Sequence, residues 1–88
     1  MKVNNLTSRN GNFVPNQFKI YHNNNVFFQS YQTIIAKIDK SGQTILDTFA
    51  LEYSRTTSKY LYQFLGYDRK EILKRIKSKS IILKNLNK

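Results

Sequence analysis

The chain has 88 residues and sets fifteen Lys and Arg against five Asp and Glu, a formal charge of +10. Five carboxylates cannot neutralise fifteen cations, so the excess must face water, counterions or a polyanionic partner. The absence of Cys excludes disulfide staples, thiolate metal sites and cysteine nucleophiles together.

Twelve aromatics in a chain that is 40% hydrophobic supply one modest core. That fits a single domain over residues 1–88 and leaves no room for a deep active-site cavity as well. Residues up to Asn12 are polar and turn-rich, with Asn10-Gly11 marking a tight turn. Pro15 cannot donate to a central ladder and belongs at a strand start or an edge. From Gln17 the period becomes two: Phe18 and Ile20 alternate with Gln17, Lys19 and Tyr21, as in a half-buried strand. His22-Asn23-Asn24-Asn25 is a turn cluster, and Val26 to Tyr31 a second strand with Val26 and Phe28 on one face. Thr33 to Ile38 is a third run, Asp39-Lys40-Ser41-Gly42 a turn, and Thr44-Ile45-Leu46 a short fourth strand.

The period then changes. Tyr60, Leu61, Phe64 and Leu65 share one helix face between Thr57 and Leu65, with Gly66 placed to close the helix. Ser54, Thr56 and Thr57 are all N-cap candidates. Asp68-Arg69-Lys70-Glu71 has the pattern of a capping box, with Ile72, Leu73 and Ile76 as the apolar stripe of a second helix. Ile81-Ile82-Leu83 reads as a closing strand and Asn85 to Lys88 as a tail. The fold expected is α+β: a mainly antiparallel meander of three to four strands, two short C-terminal helices packed on one face, and the closing strand.

No catalytic constellation assembles from these residues. His22, the sole histidine, sits in a turn with no carboxylate or nucleophile assigned to it. Asp39, Asp68 and Glu71 have turn or capping roles, and Asp47 and Glu52 read as surface charge or caps. The three glycines are scattered, so no phosphate-binding loop exists. The expectation is a protein that is not an enzyme, with no cofactor, no metal site and no small-molecule substrate.

The cations are unevenly spread. Residues 67–88 carry eight cations and two acids, a net +6, whereas residues 45–66 carry two of each. Lys70, Lys74 and Lys77 are spaced by four and three along one helix face, flanked by Arg75 and Lys79. Such a ridge suits a phosphate backbone, and a solvated helix face is its structural counterpart. Tyr62, off the apolar stripe, and Tyr67 are candidate stacking rings. A sheet face with Tyr21, Phe27 and Tyr31 beside Lys19 is either a platform for bases or packing under the helices. Arg9, with Asn10, Asn12, Asn16 and Gln17, forms an early polar cluster that reads as a binding surface or as a loop clamp.

Read together, Leu6-Thr7-Ser8-Arg9-Asn10-Gly11-Asn12, Asn16-Gln17-Phe18, Phe28-Gln29-Ser30-Tyr31, Thr56-Thr57 with Lys59-Tyr60, and Phe64-Leu65-Gly66 look like a known pattern. It resembles a family of small uncharacterised domains encoded by bacteriophages, plasmids and other mobile elements, over almost the whole chain. Where such relatives often carry Trp before the Tyr-Ser pair, this chain has Leu51-Glu52-Tyr53-Ser54. The resemblance implies a setting rather than an activity: an accessory protein acting by binding. The first expectation is a nucleic-acid binder, contacting DNA or RNA backbone through Lys70, Lys74, Arg75, Lys77 and Lys79, with Arg9 as a further contact. The alternative is an inhibitor of a nucleic-acid-guided host defence nuclease, of the anti-CRISPR type, gripping the host nucleoprotein complex. No stretch approaches the ~18–20 apolar residues of a membrane span. Met1-Lys2-Val3-Asn4-Asn5 lacks a secretory h-region, so a cytoplasmic location in a bacterial host cell is expected, with no membrane partner. Monomer and dimer both stay open; an exposed sheet edge is one route to the latter.

Overall fold

Tight turns between successive amphipathic strands build most of the sheet. The computed structural model describes residues 1–8 and 10–87. Its strands are β1 (Lys2–Thr7), β2 (Phe13–His22), β3 (Asn25–Ser30), β4 (Thr33–Ile38), β5 (Thr44–Asp47) and β6 (Ile81–Lys84). They lie side by side in chain order; the first four pairings are antiparallel and β5 with β6 is parallel. Asn23 and Asn24 make the β2–β3 turn with φ of 52° and 65°, the left-handed conformations a two-residue hairpin requires and Asn tolerates. At the β4–β5 turn the Asp39 carboxylate accepts from the Ser41 hydroxyl (2.6 Å) and from the Ser41 and Gln43 amides. Those bonds hold its pKa below the ordinary carboxylate value, the Ser41 hydroxyl contributing most.

A parallel neighbour needs a crossover. Here it contains a 3₁₀ turn (Ala50–Glu52), helix α1 (Arg55–Leu65) and helix α2 (Arg69–Lys77). Ser54 is the N-cap of α1, its hydroxyl accepting from the Thr57 amide, and Gly66 closes the helix at φ 78°.

Both helices cover the same sheet face. Phe28, fully buried, stacks on Phe64 of α1 with ring centroids 5.7 Å apart, and the Ser30 and Thr57 hydroxyls meet at 2.9 Å. Register carries that face across the sheet from Phe28 to Ala36, to Leu46, and Thr44 is set beside Ile81. Leu6, Ile35, Tyr60, Leu61 and Ile72 join them in one core cluster. Burial of each large side chain contributes roughly 1.5–3 kcal/mol.

Three expectations are corrected. The sheet has six strands, because the polar segment Lys2–Thr7 is itself a strand. It lies at an edge and buries only Leu6, so backbone pairing with β2 holds it and no apolar alternation marks it. Second, the period of β2 is real but its apolar side faces away from the helices. Gln17 pairs with Ser30 and Lys19 with Phe28 on the covered face, whereas Ile20 pairs with Phe27 on the other. Gln17 is accordingly buried, with its side-chain oxygen unpartnered. Third, Asp47 is neither surface charge nor a cap; it is 3% exposed. Its carboxylate accepts from the Phe49 amide, the Tyr53 hydroxyl, the Leu86 amide and the Asn87 side chain. The tail is thereby anchored, and the Asn87 amide group both donates to and accepts from the backbone of Ile34, extending the ladder where β5 has departed.

Candidate functional site

Helix α2 begins at Asp68, whose carboxylate accepts from the Glu71 amide at 2.8 Å. The reciprocal half of the expected capping box is not made. The Glu71 carboxylate instead accepts from Arg75 at 2.8 Å, the one ion pair among the described residues. Ile72 is fully buried and Ile76 half-buried, and this fixes the rotation of the helix. Lys70, Leu73, Lys74 and Lys77 therefore share the outer face, all exposed. Leu73, expected in the apolar stripe, is 46% exposed between the lysines. Its spacing of three from Lys70 is the signal that assigns it outward.

Beyond the helix, Lys79 occupies the left-handed region at φ 67°, its amide donating to the Ile76 carbonyl. Gly or Asn is the ordinary choice there. A lysine in that position adds a cation where the negative end of the helix dipole favours one.

The other charges are largely committed elsewhere. Asp39, Asp47 and Asp68 accept from turn, tail and cap donors. Lys19, Lys37 and Lys59 lie over the rings of Tyr21, Phe27 and Tyr60 at 5.4–5.7 Å. Among the described residues, Lys2, Lys40, Arg55 and Lys84 also lack an acid or a ring, but they stand apart on β1, a turn, α1 and β6, whereas Arg69, Lys70, Lys74, Lys77 and Lys79 lie on α2 and its exit. Lys70, Lys74, Lys77 and Lys79 come together there as the sequence spacing implies. Arg75 lies beside them but is held between Glu71 and Tyr67, its guanidinium 4.1 Å from the ring centroid. One face of Tyr67 is thus occupied. Tyr62, expected as an exposed ring, is half-buried and packs against the core. Arg9 lies outside the described residues. The aromatics that do reach solvent are Tyr31, at 58% and φ 56°, Phe13, Phe49 and, at 38%, Tyr21. The proposed platform of Tyr21, Phe27 and Tyr31 beside Lys19 is split by register: Lys19 and Tyr21 stand on the helix-covered side, Phe27 on the other.

His22 is exposed, 3.1 Å from the Asn23 side chain, in an open depression lined by Met1, Lys2, Tyr21 and Asn25 with no carboxylate. No group of three or more His, Asp or Glu is placed to hold a metal ion among the described residues, and no helix is long and apolar enough to cross a membrane. Burial, with the neighbouring Asp47 charge second, raises the Tyr53 pKa above the ordinary phenol value.

The fold and surface define a small α+β domain: one six-stranded sheet, a two-helix layer on one side, and a lysine ridge outside that layer. The chain belongs to the Family of unknown function (DUF8033), whose model matches residues 1–84. No curated protein and no solved structure matches it.

Proposed function

We propose that this is a non-enzymatic, phage-type accessory protein that binds the backbone of DNA or RNA against the outer face of α2. The observation that carries the reading is the set Lys70, Lys74, Lys77 and Lys79, exposed on one helix and its exit with no carboxylate partner among the described residues. A regular duplex or an extended single strand presents phosphates that such a row neutralises, releasing counterions. The phage-type setting rests on the resemblance in the sequence.

Binding of labelled duplex DNA and single-stranded RNA, followed by fluorescence anisotropy across a salt series, tests this. With about four phosphates neutralised, affinity for duplex falls about 100-fold between 50 and 200 mM salt. Combining Lys70→Glu, Lys74→Glu and Lys77→Glu removes most of that salt dependence and weakens binding to every sequence alike. Unchanged affinity in the triple variant rejects the assignment. No binding to free oligonucleotides, with retention of a host nucleoprotein complex instead, favours the protein-directed alternative.

A further inference from the structure

We infer that the sheet face opposite the helices is a self-association surface, on which a second copy of this chain packs sheet against sheet. Phe18, Ile20, Phe27, Ile34, Ile45 and Ile82 share that face by register: Ile20 opposes Phe27, Phe18 and Ile34 both oppose Gln29, Phe27 and Ile45 both oppose Lys37, and Ile45 is set beside Ile82. None of the six belongs to the core cluster under the helices: Ile82 is 41% exposed, Phe18, Ile20, Phe27 and Ile34 are half-buried, and Ile45, at 9%, is the floor of the patch. They form a second apolar set, and both helices lie on the other side.

Charge distinguishes this surface from the rest of the molecule. On a chain of net charge +10, the centre of the face holds one cation, Lys37, and that ammonium lies over the Phe27 ring. Asp47 stands at its end, buried and satisfied, and Lys84 at its edge strand. A polyanion finds no row of cations here. Two like-charged copies can approach each other through this face, because the lysine ridges of α2 then point outward on opposite sides. One sheet-to-sheet spacing of about 10 Å plus a helix layer on either side separates the ridges by roughly 30 Å. That is several Debye lengths of about 8 Å, so their repulsion is screened at physiological salt.

The area is sufficient. Six strands about 4.8 Å apart, each contributing roughly five residues of about 3.4 Å, give a footprint near ~500 Å² per copy. Two copies then bury about 1,000 Å², the size of a weak, transient interface rather than a permanent one. Aligned packing of two twisted sheets is a standard way to bury such faces, and a two-fold axis makes one patch its own complement. The association is therefore concentration-dependent, and it does not rest on the nucleic-acid reading.

Sedimentation equilibrium of the full chain, from low micromolar to several hundred micromolar, tests it. The mass rises from the 10.4 kDa of one copy toward twice that value. Phe27→Lys combined with Ile82→Lys stays at one copy throughout, whereas Lys74→Glu with Lys77→Glu dimerises like the wild type. Should the double lysine variant fail to fold, dilution of the wild type followed by NMR serves instead, with shifts confined to Phe18, Ile20, Phe27, Ile34 and Ile45. A wild type that stays single at the highest concentration overturns the inference. So do dilution shifts confined to the β1 edge, or a monomer that sediments with neutral phosphatidylcholine vesicles.

Discussion

The two faces of the sheet carry similar apolar side chains and have different fates. Phe28 and Phe27 are consecutive, yet Phe28 is sealed under Phe64 while Phe27 is half-buried beneath the Lys37 ammonium. Leu46 is fully buried in the core cluster, whereas Ile45 beside it, 9% exposed, is buried outside that cluster on the opposite face. Alternation in the sequence makes each strand two-faced. Which side becomes the core is decided by where the helices attach, through contacts such as Ser30 with Thr57. The covered face holds the fold together; the open face is surface left for association.

The sharpest way to break that comparison is a pair of truncations on neighbouring residues. Phe28→Ala leaves a cavity under α1 and costs about 3–5 kcal/mol in urea unfolding, enough to unfold much of the protein. Phe27→Ala costs the isolated domain under about 1.5 kcal/mol, because the side chain faces partial solvent. Equal losses at the two positions would mean that both faces contribute equally to folding.

A smaller effect separates the helix layer's stability from its charge. Lys79→Gly relieves the left-handed backbone and raises stability by about 1 kcal/mol in thermal unfolding, while weakening phosphate binding by one contact. If stability falls instead, the ammonium at the helix exit matters more to the fold than the backbone conformation.

The smallest expected effect probes the clamp at the end of the open face. Removing the Tyr53 hydroxyl, as in Tyr53→Phe, breaks its 3.3 Å bond to Asp47 and costs about 0.5–1 kcal/mol. The Tyr53 pKa is raised in the folded state, so folding favours the protonated phenol. This contribution is fully present below the unfolded tyrosine pKa and is lost as pH rises through the higher folded value. Unfolding followed at alkaline pH shows a steeper loss in the wild type than in the variant.

Much of the architecture is legible from local chemistry. The caps at Ser54, Gly66 and Asp68, the Asn23-Asn24 turn and the two helices are set by residues within a turn of one another. β1 is not legible, because an edge strand with one buried side chain needs only backbone pairing. Nor is the buried side of β2, where Gln17 and Lys19 share a face with Ser30 and Phe28 only through the register of β3. The lysine ridge follows from spacing of three and four. The burial of Tyr62 and the capture of Arg75 by Tyr67 depend on tertiary contacts that no periodicity encodes.

Spatial order that follows chain order also bears on biogenesis. Each of β2 to β5 pairs with the strand just upstream, so a nascent chain meets these partners soon after synthesis, at small loop-closure cost. β6 and the tail must travel back, Ile81 to sit beside Thr44 and Asn87 to reach Ile34, after both helices have emerged. That pairing carries the largest loop-closure cost in the sheet, and it seals the ladder that the amide of Asn87 completes.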